Sequence, residues 1–175
     1  MDVSIAKIKA KPGAACEFSF QQPVDAAACG YEEFGLPAPL RVQGRLLNRG
    51  NGEFLAEISW QAQVEQLCGR CGQSFTRPAS GQLQVRFSQT VSADTAGEDD
   101  IWLIEQDTAR VLAPVLNEIW LQAPMQPLCR PDCRGLCPRC GVNLNQQSCS
   151  CAEEHLDPRW EKLKNLQQNI EREEN

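Results

Sequence analysis

The chain has one histidine and one tyrosine among its 175 residues. With His155 as the sole imidazole, no histidine-rich metal site can be built, and a nucleophile–histidine pair has almost nothing to draw on. No stretch approaches the roughly 20 apolar residues that a membrane span needs. Residues Met1–Lys9 carry no apolar run of signal-peptide length, so the expected location is cytoplasmic, with no membrane partner. A basic excess is also missing. Lys and Arg number 17 against 23 Asp and Glu, a formal charge of -6. Without a strongly basic stripe, a zinc-ribbon DNA-binding factor is disfavoured. There is no phosphate-cradling glycine-rich loop and no evident general base. The chain therefore reads as something other than an enzyme, with no small-molecule substrate expected.

What the chain does have is cysteine, ten residues in all. Eight form four short pairs: Cys68/Cys71, Cys129/Cys133, Cys137/Cys140 and Cys149/Cys151. Two thiolates two or three residues apart can reach one ion from a tight turn, and four sulfurs complete a tetrahedral zinc site. Eight therefore suit two zinc ions. A glycine follows the second cysteine in two pairs, Gly72 and Gly141. It lets the chain turn back with positive φ, so that backbone N–H groups can point at sulfur. Four cysteines per site leave no open position for catalysis. Iron would also accept four thiolates, but zinc is the expected occupant of a knuckle.

Disulfides are the first rival, and they belong to secreted proteins. A thioredoxin-like redox pair is the second, but it needs a helix start after the second cysteine. Here Cys71 is followed by Gly-Gln-Ser-Phe-Thr-Arg-Pro. Cys16 and Cys29 stand outside the pairs and read as small buried hydrophobes. His155 reads as an exposed or capping residue.

The first half alternates with period two. Val3, Ile5 and Ile8 suggest a short first strand, Cys16–Phe20 a second, and residues 21–39 a long connection. Residues 40–47 and 54–67 form a hairpin about the turn cluster Asn48–Gly52. In the longer arm Phe54, Ala56, Ile58, Trp60, Ala62 and Val64 face one way, with polar residues opposite. This arm runs straight into Cys68. A returning strand follows after Pro78 and Gly81, with Leu83, Val85, Phe87 and Val91. Residues 92–107 carry six acids and no base. They read as an acidic linker with an edge strand at Ile101–Ile104. Asp107 is a candidate N-cap for a helix with the inner face Leu112, Val115, Leu116 and Ile119. Pro114 either kinks that helix or lies in its first turn. Asp157-Pro158 opens a terminal helix with an apolar stripe of Trp160, Leu163, Leu166 and Ile170.

The expected fold is thus α+β. An antiparallel sheet or partly open barrel comes from the N-terminal half, followed by C-terminal helices and four-cysteine zinc knuckles. Its parts are a β-rich domain over 1–91, the linker and edge strand over 92–107, and a helical and knuckle part over 108–175, together one structural unit. The favoured grouping of ligands joins Cys137, Cys140, Cys149 and Cys151 in a local knuckle. Cys68 and Cys71 then join Cys129 and Cys133 across a long loop. The alternative exchanges Cys129/Cys133 with Cys149/Cys151.

Each site of four thiolates and one Zn²⁺ has a net charge of about -2, so two move the chain to about -10. Arg70, Arg130, Arg134 and Arg139 lie among the cysteines. They serve either to neutralise thiolates or to contact phosphate. The acidic remainder suits a basic protein partner.

Cys68-Gly-Arg-Cys71 after a long strand resembles the bacterial YceD family. So do Leu128-Cys-Arg-Pro-Asp-Cys-Arg-Gly-Leu-Cys-Pro-Arg-Cys-Gly-Val-Asn-Leu-Asn145, then Cys149-Ser-Cys151 and Asp157-Pro-Arg-Trp160. The chain is similar to a zinc- and cysteine-rich branch of that family. The resemblance implies a non-enzymatic ribosome-biogenesis factor that supports synthesis, processing or stability of large-subunit (23S) rRNA. Its implied partners are rRNA or a ribosomal or assembly protein. A thiol-based redox or metal-sensing protein is the alternative reading.

Overall fold

A computed structural model of the chain describes residues 1–90 and 101–151. The chain divides into two compact units, Met1–Cys133 and Arg134–Asn175.

The first unit is built on β4, Glu53–Leu67. Every even-numbered residue of β4 from Phe54 to Gln66 is buried, and all its odd-numbered residues face away. Strict alternation of this kind holds one register, because a one-residue slip would invert the faces. β3, Leu40–Gly50, pairs antiparallel with β4 from Arg41↔Gln61 to Gly50↔Glu53. The loop between them is Asn51-Gly52, with φ of 54° and 78°. A two-residue loop with both φ positive matches strand twist, and Asn-Gly tolerates it best. β2, Ala15–Gln22, lies outside β3, and β5, Ser74–Ser88, pairs with all of β4. β6, Ile101–Leu103, adds to β5 in parallel at Arg86↔Ile101. The order β2-β3-β4-β5-β6 makes an open sheet, antiparallel except for the last pair.

One face of the sheet is covered. β1, Asp2–Ser4, pairs with β7, Thr108–Arg110, and α1, Leu112–Leu121, follows. Pro114, Val115, Leu116 and Ile119 of α1 are buried, and the last three join Phe54, Ile58, Trp60 and Phe87 in one core. Ile5 and Ile8 plug the same core.

Several boundaries differ from the sequence reading. The first strand ends at Ser4. Ile5 and Ile8 are three residues apart and sit in a helical turn, with the Lys9 N–H donating to the Ile5 carbonyl at 2.8 Å. The returning strand begins at Ser74 and runs through Pro78 and Gly81, where, among the described residues, β5 has one hydrogen-bonded neighbour. That is where a missing donor is tolerated. Asp107 is no helix cap. Gln106 and Asp107 have φ of 49° and 57° and turn β6 back into β7. The Asp107 carboxylate accepts from Lys9 Nζ at 2.7 Å. The helix starts at Leu112 with Pro114 in its first turn. It is the one α-helix among the described residues. Val91, the acidic residues 92–100 and the terminal helix at Asp157 lie outside the described residues, as does His155.

The second unit is described through Cys151. Its described residues form turns and one bridge, Leu136↔Asn143.

Asn48 holds the first unit together locally. It is 3% exposed, and its Nδ2 donates to the carbonyls of Ile8 at 2.7 Å and Lys9 at 3.0 Å. Its Oδ1 accepts from the Gly50 N–H at 2.7 Å, beside the bulge in β3. Asn48→Leu removes all three bonds and leaves buried backbone groups unpaired. It is expected to lower unfolding free energy by about 2–3 kcal/mol, read from urea titration of the purified protein.

Candidate metal centres

Eight of the ten cysteines converge as two groups of four. In each group the four Sγ atoms lie within 4.8 Å of one another.

Centre 1 holds Cys68, Cys71, Cys129 and Cys133. β4 and β5 deliver the first pair, because the turn between them is Cys68–Gln73. That turn is closed by the Cys68 N–H to the Gln73 carbonyl and the Gly72 N–H to the Cys68 carbonyl, each 2.9 Å. Gly72 has φ of 67°. The second pair arrives after Pro127, whose carbonyl accepts from the Gly69 N–H at 2.8 Å. Cys68 and Cys133 place their sulfurs 3.8 Å apart, as do Cys71 and Cys129. This is far beyond a disulfide bond, and all ten cysteines are free. It equals the edge of a tetrahedron with metal–sulfur distances of about 2.3 Å, which is about 3.8 Å. Cys68, Cys71 and Cys133 are buried, with Phe75 and Leu128 packed beside them. The donor set and its spacing therefore fit a tetrahedral thiophilic ion.

Centre 2 holds Cys137, Cys140, Cys149 and Cys151. Its turn repeats the design of centre 1. The Gly141 N–H donates to the Cys137 carbonyl at 2.9 Å, and Gly141 has φ of 71°. The Cys137 N–H donates to the Val142 carbonyl at 2.8 Å. Two asparagines brace the unit and were not singled out as functional from sequence. Asn145 Oδ1 accepts from the Arg134 N–H at 2.8 Å, and Asn143 Oδ1 accepts from the Asn145 N–H at 2.9 Å. The Asn-x-Asn spacing after the knuckle was the available signal.

The thiols within each centre are unequal in the metal-free chain. Backbone N–H groups, first that of Cys129 and then those of Cys71 and Arg70, hold Cys68 down to about 6. The Cys140 and Arg139 N–H groups hold Cys137 down to about 6 in the same way. At Cys71 the Gln73 N–H lowers the pKa, but burial and the Cys68 and Cys133 thiols outweigh it and raise the thiol. Burial pushes Cys129 up to about 12. Hydrogen bonding with Cys140 and Cys137 pushes Cys151 up to about 12. Each centre thus combines one thiolate near neutral pH with thiols whose protons an ion must displace.

The candidate arginines divide between the units and are all exposed. In the first unit Arg70 Nη1 donates to the Cys133 carbonyl at 3.0 Å, and Arg130 Nε lies 3.6 Å from Asp132. In the second, the Arg134 backbone joins the Asn145 brace and Arg139 lies within the Cys137 turn. Cys16 is half-buried, as a small hydrophobe can be, but Cys29 is exposed, contrary to the sequence reading. The Cys68–Cys71 pair lies in a β-turn, not at a helix start, which is unlike a thioredoxin site.

A concavity lies elsewhere, on the face of the sheet opposite the core. It encloses about 890 Å³ and is walled by Ser19, Gln43, Ser59 and Gln82, with the Arg45–Glu57 ion pair at one side. It contains no cysteine or histidine. Among the described residues, no helix is long and apolar enough to cross a membrane.

Residues 56–167 match the family model described as "Large ribosomal RNA subunit accumulation protein YceD". The chain belongs to the YceD family. The matched span contains all eight clustered cysteines. Uncharacterised proteins of Mycobacterium tuberculosis and Mycobacterium bovis are each 30% identical to the chain, covering 93% of it and 79% of the relative. A chloroplastic protein of Arabidopsis thaliana, named a large ribosomal RNA subunit accumulation protein YCED homolog, is 32% identical. That match covers 32% of this chain and 17% of the relative. No solved structure matches the chain.

Metal affinity is expected to fall as pH falls, since ligands bind as thiolates and protons compete. Above about pH 6, Cys68 and Cys137 are already ionised without metal. Below it, one more proton per centre must be displaced. Competition with a chromogenic chelator should therefore show a steeper loss of affinity below about pH 6 than above it.

Proposed function

We propose that the chain is a non-enzymatic ribosome-biogenesis factor that supports accumulation of large-subunit (23S) rRNA. In this reading it is cytoplasmic and is stabilised by two zinc ions. The observation that carries the functional reading is the YceD match, which spans both cysteine groups. The arrangement of the site supports a binding role. All four donors of each centre are cysteine sulfurs, so no position remains for a metal-bound water. Zinc would supply cross-linking here, with Cys68, Cys71, Cys129 and Cys133 holding one ion and Cys137, Cys140, Cys149 and Cys151 the other.

The protein acts by contact with rRNA or with a ribosomal or assembly protein. Arg70, Arg130, Arg134 and Arg139 are the residues proposed to meet phosphate. Arg134 and Arg139 are the better test pair, because Arg70 also clamps the Cys133 carbonyl. The side chains of a centre carrying a charge of about -2 also need cations nearby. The arginines therefore serve the fold first and a polyanion second.

The decisive experiment is the rRNA profile of cells depleted of the protein. A selective fall in large-subunit relative to small-subunit rRNA is expected, and an unchanged ratio refutes the reading. Elemental analysis of the purified protein should give about two zinc ions per chain, matching two four-sulfur groups. The double variant Arg134→Glu/Arg139→Glu should keep its zinc and lose RNA association. Retained association would move the contact elsewhere and favour protein docking.

A further inference from the structure

The two centres are built alike but sheltered differently. In centre 1 the sulfur-bearing residues Cys68, Cys71 and Cys133 are 2%, 4% and 3% exposed, and only Cys129 is half-buried. In centre 2 Cys137 alone is buried, Cys149 and Cys151 are half-buried, and Cys140 is exposed. The surrounding bonds differ in the same sense. Centre 1 terminates a 15-residue strand pair and is tied by Gly69 to Pro127 and by Arg70 to Cys133. In the second unit the described backbone hydrogen bonds run from Gly135 to Gln147, and Cys149 and Cys151 lie beyond them.

We propose that centre 2 is an oxidation site for hydroperoxides, entered at Cys140, the one exposed residue among its four ligands, while centre 1 is a protected structural clamp. This rests on the reading that both groups hold zinc. Cys140 Sγ attacks the outer peroxide oxygen. The O–O bond breaks, an S–O bond forms, and alkoxide or hydroxide leaves and takes a proton from water. A second thiolate of the same centre, within 4.8 Å, then attacks the sulfenyl sulfur. The S–S bond forms and hydroxide leaves. Two thiolates supply the two electrons that the peroxide accepts. The centre loses two of its four donors and with them its grip on the ion. Since Cys137, Cys140, Cys149 and Cys151 all lie in the second unit, that loss acts on the unit and leaves the sheet of the first unit intact. Thiol reduction reverses it.

The test uses the full chain with its zinc content measured beforehand. Hydrogen peroxide is added with a chromogenic chelator present, and samples are mapped by peptide mass spectrometry. One equivalent of zinc should leave at least about tenfold faster than the other, following access to the nucleophilic sulfur. The early disulfide should join residues between Cys137 and Cys151, with the far-ultraviolet signal of the sheet unchanged. Release of both ions at one rate, or an early disulfide within Cys68–Cys133, overturns the proposal. Cys140→Ser should hold one zinc that leaves only at the slow rate, and fast release from that variant also overturns it. A chain purified without zinc refutes the metal reading itself, which is visible before any oxidant is added.

Discussion

β4 is hydrogen-bonded along both edges, to β3 on one side and to β5 over its full length on the other. Its side chains alternate without a break between the core and the other face over all 15 residues. This double constraint fixes where β4 ends and in which direction Cys68 leaves it. Cys68 falls in phase with the buried series, so its sulfur points to the protected side, and Cys71 returns to that side one turn later. Centre 1 therefore inherits its geometry from strand register. A one-residue slip in β4 would expose Trp60 and Phe54 and would carry the Cys68 sulfur to the wet face at the same time. Core burial and metal geometry thus select the same register, which is the local-to-global agreement expected of a sequence with one native state.

The alternation in β4 was legible because it is long and uninterrupted. The Asn-Gly hairpin was legible because few residues tolerate two successive positive φ values. The pairing of cysteines within each short motif was also legible, since spacing alone brings two sulfurs to one turn. What sequence left open was which pairs meet, because that depends on where the chain returns after α1. It was misread around Asp107. An acidic residue before an apolar run looks like an N-cap, but Gln106 and Asp107 adopt left-handed backbone and form a hairpin turn instead. Lys9, the tertiary partner of Asp107, is 98 residues away and invisible to a local pattern. The edge strand β6 was legible at Ile101–Ile104, but its parallel direction was not, for a similar reason. Three residues carry too little period to state a direction, and the segment that would set it lies in 91–100.

The electrostatics of the centres explain why arginines cluster near them without making the chain basic. A four-thiolate zinc site is still negative by about two charges, so nearby cations reduce self-repulsion. Arg70 does more than that. By binding the Cys133 carbonyl it ties the second ligand pair to the turn that carries the first. A side chain with this structural duty has fewer free donors for a phosphate.

Loop size separates the two centres further. The Cys71–Cys129 link in centre 1 spans 58 positions and draws α1 and the β6–β7 turn into the closed loop. Treated as a chain cross-link, such a closure removes about 4 kcal/mol of unfolded-state entropy. In centre 2 the widest internal gap, between Cys140 and Cys149, is nine positions. The same treatment gives about 2.5 kcal/mol for it. Centre 1 has both the larger conformational effect and the deeper burial, so an ion there would be bound by a surface that is largely preformed by the sheet. Among the described residues, centre 2 closes a segment of one bridge and a few turns. An ion at centre 2 would cross-link that segment, as in small metal-dependent units generally. A chain built this way can lose order in one unit while the β4-centred core stays closed, because the residues that close each centre belong to different units.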